Sequence, residues 1–182
     1  MTHRGDWFCT ASGRQVYILD PAPEDICIVD IAHALANTCR FGGHVDDFYS
    51  VAQHSVLVSR MVPEDIALAG LLHDAAEAYL GDVIHPLKIS LPDYRAIEAL
   101  WEACIISAFD LTVTEHAKNL IKVADRRALI TERRDVAPDG WSRFPWKADE
   151  QGYRPFSERI EPLPPKAAKS LFLTRWYQLT RK

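Results

Sequence analysis

The chain has no Cys-x-x-Cys pair. Its four cysteines, Cys9, Cys27, Cys39 and Cys104, are scattered, so neither a zinc ribbon nor a disulfide frame is expected. No apolar run approaches the roughly 20 residues that span a bilayer. The opening Met1-Thr2-His3-Arg4-Gly5-Asp6 lacks the charged-then-apolar order of a secretion signal. A cytoplasmic protein with no membrane partner is the expectation. Basic charge is not in excess either: the net charge of -4 gives no footprint for a nucleic-acid polymer. Internal repeats and low-complexity tracts are absent. What remains is 182 residues, 48% hydrophobic and 25% charged, which suits a single domain with a substantial core.

The pattern along the chain predicts an all-α fold with a short N-terminal β-hairpin. Trp7 to Thr10 and Val16 to Leu19 favour strands, with Ser12-Gly13 as the turn. Helical periodicity starts at Ile28 and ends near Cys39, before Gly42-Gly43. A second helix is expected from Ser50 to Met61. A third runs from Pro63 in its first turn to about Leu80, with Gly81 as C-cap. A loop with Pro86 leads to a helix over about Pro92 to Phe109. Thr112-x-x-Glu115 reads as a capping box for the next helix, which reaches at least Glu132. The helical core thus covers residues 28–135. Residues 136–165 form a long loop rich in proline and aromatics, too apolar for a disordered linker and read as a strap over the helices. A last helix covers about residues 166–180, with Leu171, Phe172, Trp176 and Leu179 inward.

Chemistry concentrates in Leu71-Leu72-His73-Asp74-Ala75-Ala76-Glu77. Burying imidazole and carboxylate among leucines and alanines is costly unless something compensates, and a divalent cation does so well. His54 shares a helical stripe with Val51 and Val58, and Asp125 lies on one among Ile121, Ala124, Ala128 and Leu129. Arg126 and Arg127 point elsewhere round the helix, so local pairing is a weak explanation for Asp125. Taken singly, each polar residue has a structural reading. Taken together, they predict one metal held by His54, His73, Asp74 and Asp125. Two imidazoles and two carboxylates suit Mn, Co, Fe, Ni or Zn, with open positions for water or a substrate oxygen. Glu77 is expected on the same helix face, roughly one turn along, where it could serve a water molecule or a second ion. Asp82, just past Gly81, gains nothing from the helix dipole. Arg40 and Lys88 are loop cations suited to phosphate oxygens, and Phe41 is suited either to a base or to the core.

The order His54, His73-Asp74, Asp125 resembles the signature of the HD-domain metal-dependent phosphohydrolases. It is most similar to small bacterial and phage members that include 5'-deoxynucleotidases and deoxynucleoside triphosphohydrolases. The segments that carry the resemblance are Arg40-Phe41, Tyr49 to Ser55, Leu72 to Glu77, Gly81 to Lys88 and Ala124-Asp125, spread over about half the chain. The resemblance implies an HD helical bundle in which His54, His73, Asp74 and Asp125 bind the metal. It also implies that Glu77 and Asp82 act on the attacking water or the leaving group, and that Arg40 and Lys88 face phosphate. The cofactor expected is a divalent ion (Mn, Co, Zn, Fe, Ni or Mg), with a second ion near Glu77 and Asp82 left open. The reaction expected is hydrolysis of a deoxynucleoside monophosphate or of the α-phosphate of a triphosphate, in a homo-oligomer. Two alternatives stay open: a nucleotide-binding regulatory module without turnover, and a di-iron HD oxygenase. The latter is poorly matched, since only His85 and His116 lie between Asp82 and Asp125.

Overall fold

A computed structural model describes residues 4–181. Two three-residue strands, β1 (Trp7–Cys9) and β2 (Gln15–Tyr17), pair antiparallel with Phe8 opposite Val16. The turn between them needs a positive φ, which Gly13 supplies at +82°. Asp30 anchors that turn by accepting hydrogen bonds from the Ser12 backbone (2.7 Å), the Ser12 hydroxyl (2.6 Å) and the Thr10 hydroxyl (2.8 Å). A buried carboxylate is thereby satisfied.

The remainder is helical, as the periodicity predicts. The helices are α1 (Ile28–Asn37), α2 (Val51–Arg60), α3 (Ala67–Leu71), α4 (Glu77–Leu80), α5 (His85–Lys88), α6 (Pro92–Ala108), α7 (Glu115–Asp135), α8 (Lys147–Glu150) and α9 (Pro165–Thr180). Among them α2 is central, lying against α1, α3, α7 and α9. Its apolar residues feed two clusters. Val51 and Val56 join Ile31, Leu35, Leu71, Trp101 and Phe172 in the larger core, and Val58 joins Ile121, Ala124, Ala128 and Phe156 in the smaller one. Ser50 caps α2 by accepting from the Gln53 backbone at 3.2 Å.

Three expectations need correction. The single helix over residues 63–80 is instead a 3-10 turn (Glu64–Ile66), then α3, then a run of turns over residues 72–76, then α4. Through that run the backbone bonds close three residues back, as in Ala75 to Leu72 and Glu77 to Asp74. The Gly70 carbonyl accepts instead from the His73 ring, at 2.8 Å. A side chain has taken the place of a helical rung, so His73 and Asp74 stand on a turn and Glu77 opens a new helix. The second correction concerns α7, which is capped by Thr114, whose hydroxyl accepts from the Ala117 backbone at 3.1 Å, and not by a box starting at Thr112. The third concerns the two loops, which contain the short helices α5 and α8 and a 3-10 turn at Asp139–Arg143.

Residues 136–165 do behave as a strap. Gln53 accepts from the Leu163 backbone (2.9 Å) and donates to the Glu161 carbonyl (2.7 Å), while Thr131 accepts from the Phe156 backbone (2.9 Å). Arg134 donates to the carbonyls of Phe156 and Glu158, and Arg133 pairs with Asp149. Trp141 and Trp146 pack on Phe41, and Phe156 is buried. Phe144, at 69% exposure, is the strap aromatic that faces out most openly. Among the described residues no helix is long and apolar enough to cross a membrane.

Candidate metal centre

Three of the four expected donors approach the fourth. His54 Nε2, from α2, lies 3.3 Å from His73 Nε2, 3.4 Å from Asp74 Oδ2 and 3.4 Å from Asp125 Oδ1. His73 Nε2 is in turn 3.2 Å from Asp74 Oδ2. Three segments contribute: α2, the turn after α3, and α7. The break in the helix is what lets adjacent His73 and Asp74 both reach the centre.

Protonation follows from the partners. Glu132 is buried beside Arg40 and His54; burial opposes its charge, but those two cations hold its pKa below the ordinary value. An ionised carboxylate only accepts, so the 2.6 Å contact to His54 Nδ1 is donated by the ring. The Gly70 carbonyl likewise only accepts, so His73 Nδ1 donates there. Both rings therefore turn Nε2 inward. When neutral they aim two lone pairs at each other, with two carboxylates beside them. That arrangement repels itself unless a positive charge sits between the donors. A proton on His54 Nε2 would relieve the same repulsion. Burial lowers the His54 pKa, and so does Arg40, but Glu132 and Asp125 outweigh both and push it up to about 10. Asp74 and Asp125 are pulled down by the same imidazoles against the cost of burial.

The donor set fits a divalent ion. Donors sharing one tetrahedral ion at about 2.0–2.1 Å stand roughly 3.3 Å apart, which matches the separations of 3.2–3.4 Å among His54, His73 and Asp74. His54, His73 and Asp74 form the group whose donor atoms all approach one another and would hold it. Asp125, brought from α7 to 3.4 Å from His54 Nε2, stands outside that group. Hydrogen bonds from the far side of each imidazole fix the tautomer, as they do in settled metal sites.

Glu132 is the buried partner of the candidate centre that sequence reasoning missed. It has 0% exposure, lies seven residues after Asp125 on the same face of α7, and also accepts from Arg40 Nη2 at 3.0 Å. The i, i+7 spacing of two acids on a buried stripe was the available signal. Arg40 is not an open surface cation. It is buried, paired to Glu132 and 3.7 Å from Asp74. Lys88 is bound to Glu98 at 2.6 Å and stands 3.8 Å from Glu77 Oε1. Phe41, half-buried with φ of +59°, is engaged by the two strap tryptophans. Glu77 is buried with Oε2 lacking a hydrogen-bond partner. Burial first, then Asp74 and Asp82, raise its pKa well above the usual glutamate value, and burial raises Asp82 as well. His85 and His116 are both exposed, away from any cluster able to hold a metal among the described residues.

No family model matches the chain. The chain is 40% identical to the uncharacterized protein YfdR of Escherichia coli strain K12, with 94% of each chain aligned. It is 35% identical to an uncharacterized protein of Rhodobacter capsulatus, with 96% of each aligned. Identity at this level along essentially whole chains places it with them: the chain belongs to the same family as YfdR and its Rhodobacter relative.

Proposed function

We propose that this protein is an HD-type phosphohydrolase that cleaves the phosphoester of a nucleotide with a divalent ion held by His54, His73, Asp74 and Asp125. The observation that carries the reading is the approach of three donor atoms within 3.4 Å of His54 Nε2. A dense nest of donors beside a buried, partly unsatisfied carboxylate is the arrangement hydrolysis requires. When bound, the ion supplies Lewis-acid polarisation of a phosphate oxygen and lowers the pKa of a coordinated water.

The chain's own groups do the rest. Glu77 Oε2 has no partner and is ready for a proton of water, and its raised pKa makes it a stronger base once ionised. Asp82 shares the same field and can return a proton to the leaving oxygen. Arg40 and Lys88 offset negative charge at the site, although each already meets carboxylates of the protein. Lys88 beside Glu77 supplies a positive charge where a second ion would otherwise stand, so the proposal carries one ion. A cytoplasmic homo-oligomer acting on a small nucleotide completes it.

The test is a panel of nucleoside mono- and triphosphates assayed with Mn, Co, Mg and Zn, following released phosphate and tripolyphosphate. Turnover should require added metal and fall by at least about a thousandfold in Asp74→Ala. Equal turnover in that variant would end the proposal.

A further inference from the structure

The centre has a neighbour. A cleft of about 290 Å³ opens between the turn after α3 and the facing sides of α6 and α7, and His73 and Asp125 form part of its wall. Its other walls are apolar: Leu72, Ala76, Ile105, Ile106, Leu111 and Val113 are among them. The polar groups that line it besides the two donors are Glu102 from α6 and Lys118 and Lys122 from α7. Lys118 and Lys122 are spaced one helical turn apart, on the side of α7 that leads to Asp125. Lys118 is paired with Glu115 at 2.7 Å.

We propose that this cleft receives the organic part of the substrate, a flat heterocycle of nucleobase size, while its phosphate lies at the centre. The inference rests on the phosphohydrolase reading and says which way the substrate points. The cleft stands at the small end of ligand pockets, about 300–1,000 Å³, so it holds one ring system and little more. Its walls suit the faces of such a ring, which lose water at little cost. Its polar lining suits the edges: Glu102 accepts from ring or amino N–H groups, and the lysines donate to ring oxygens or nitrogens. An aliphatic chain would make no use of the Glu102 carboxylate or the Lys122 ammonium. A polyphosphate tail would bring several negative charges against leucine and isoleucine, a costly burial. The tail also cannot turn the other way cheaply. There Asp74, Glu77, Glu98 and Glu132 already meet Arg40 and Lys88.

The experiment separates this from catalysis by using ligands with nothing to hydrolyse. The four 2'-deoxynucleosides are titrated, at up to millimolar concentration, into Mn-free protein carrying isotope-labelled isoleucine methyls. Saturable shifts confined to Ile105, Ile106 and Ile121 are expected for at least one nucleoside. In Val113→Trp, which fills the cleft from the loop before α7, that affinity should fall at least about tenfold. Ile106→Trp fills it from α6 and serves if the first variant does not fold. No shift at the three methyls, or equal binding in a folded cleft-filling variant, overturns the inference. Turnover of phosphoesters is scored separately: activity without nucleoside binding sinks this inference alone, and binding without activity sinks the phosphohydrolase reading and with it the phosphate's place at the centre, leaving the cleft as a site for the heterocycle only.

Discussion

Glu132 carries two duties at one carboxylate: it accepts the His54 Nδ1 proton at 2.6 Å and neutralises Arg40 at 3.0 Å. Glu132→Gln keeps an acceptor of the same shape and removes the charge. Divalent-metal affinity, read from the visible absorption of the Co(II) form, should fall about 10–100-fold. Stability should fall by about 3 kcal/mol, because Arg40 is left buried with only the more distant Asp74. Unchanged affinity with unchanged stability would remove Glu132 from the site. At this scale the sequence was informative about the donors. His54 and Asp125 sit on apolar stripes where a polar group has no business without a partner, and the structure brings His54 to Asp74 and Asp125 to His54. It was less informative about charge partners, because Arg40 in a glycine-flanked loop looks like a surface cation until α7 is placed beside it. Pairing over 92 positions of sequence leaves no local trace.

Helix boundaries were legible where side chains decide them locally. Ser50 and Pro92 mark the starts of α2 and α6 as their residue types suggest. The break between α3 and α4 was not legible, since Leu71 to Leu80 is composed largely of good helix formers. A local side-chain bond, the His73 ring on the Gly70 carbonyl three residues back, overrides propensity there. For α7 the two candidate caps are distinguishable by experiment. Thr114→Ala should cost about 1 kcal/mol in denaturant unfolding, and Thr112→Ala close to nothing. The reverse order would restore the cap at Thr112.

For the molecule as a whole, the strap is fastened at Asp135, whose side chain is 2% exposed. It accepts from Arg134, from Arg159 at 2.6 Å and from the Ile160 backbone at 2.9 Å. Burial raises its pKa, but those donors outweigh burial and hold it below the ordinary 3.8. A depressed carboxylate contributes stability that is fully present above its unfolded pKa and is lost as pH falls through the folded value. Wild type should therefore lose strap packing below about pH 4, seen as a change in tryptophan fluorescence from Trp141 and Trp146. Asp135→Asn should show a weakened strap at neutral pH and little further change on acidification. A wild-type profile that is flat through pH 3 would count against the fastening. That a strap exists was readable from its prolines and aromatics. Which acid ties it down was not, because Asp135 meets Arg159 and Ile160 only once the chain has doubled back.

Gly70 is where α3 touches α2: a Cβ there would come within 3.1 Å of Val62 and 3.4 Å of the Ser59 backbone. Its carbonyl also steers the His73 ring. One missing methyl thus sets the bite between the two imidazoles, much as a thin shim sets the jaws of a clamp. In Gly70→Ala the jaws should open by a few tenths of an ångström, and larger ions such as Mn should gain on Zn in a competition titration. An unaltered Mn-to-Zn preference in a folded variant would show that the jaws are set by some other part of the frame.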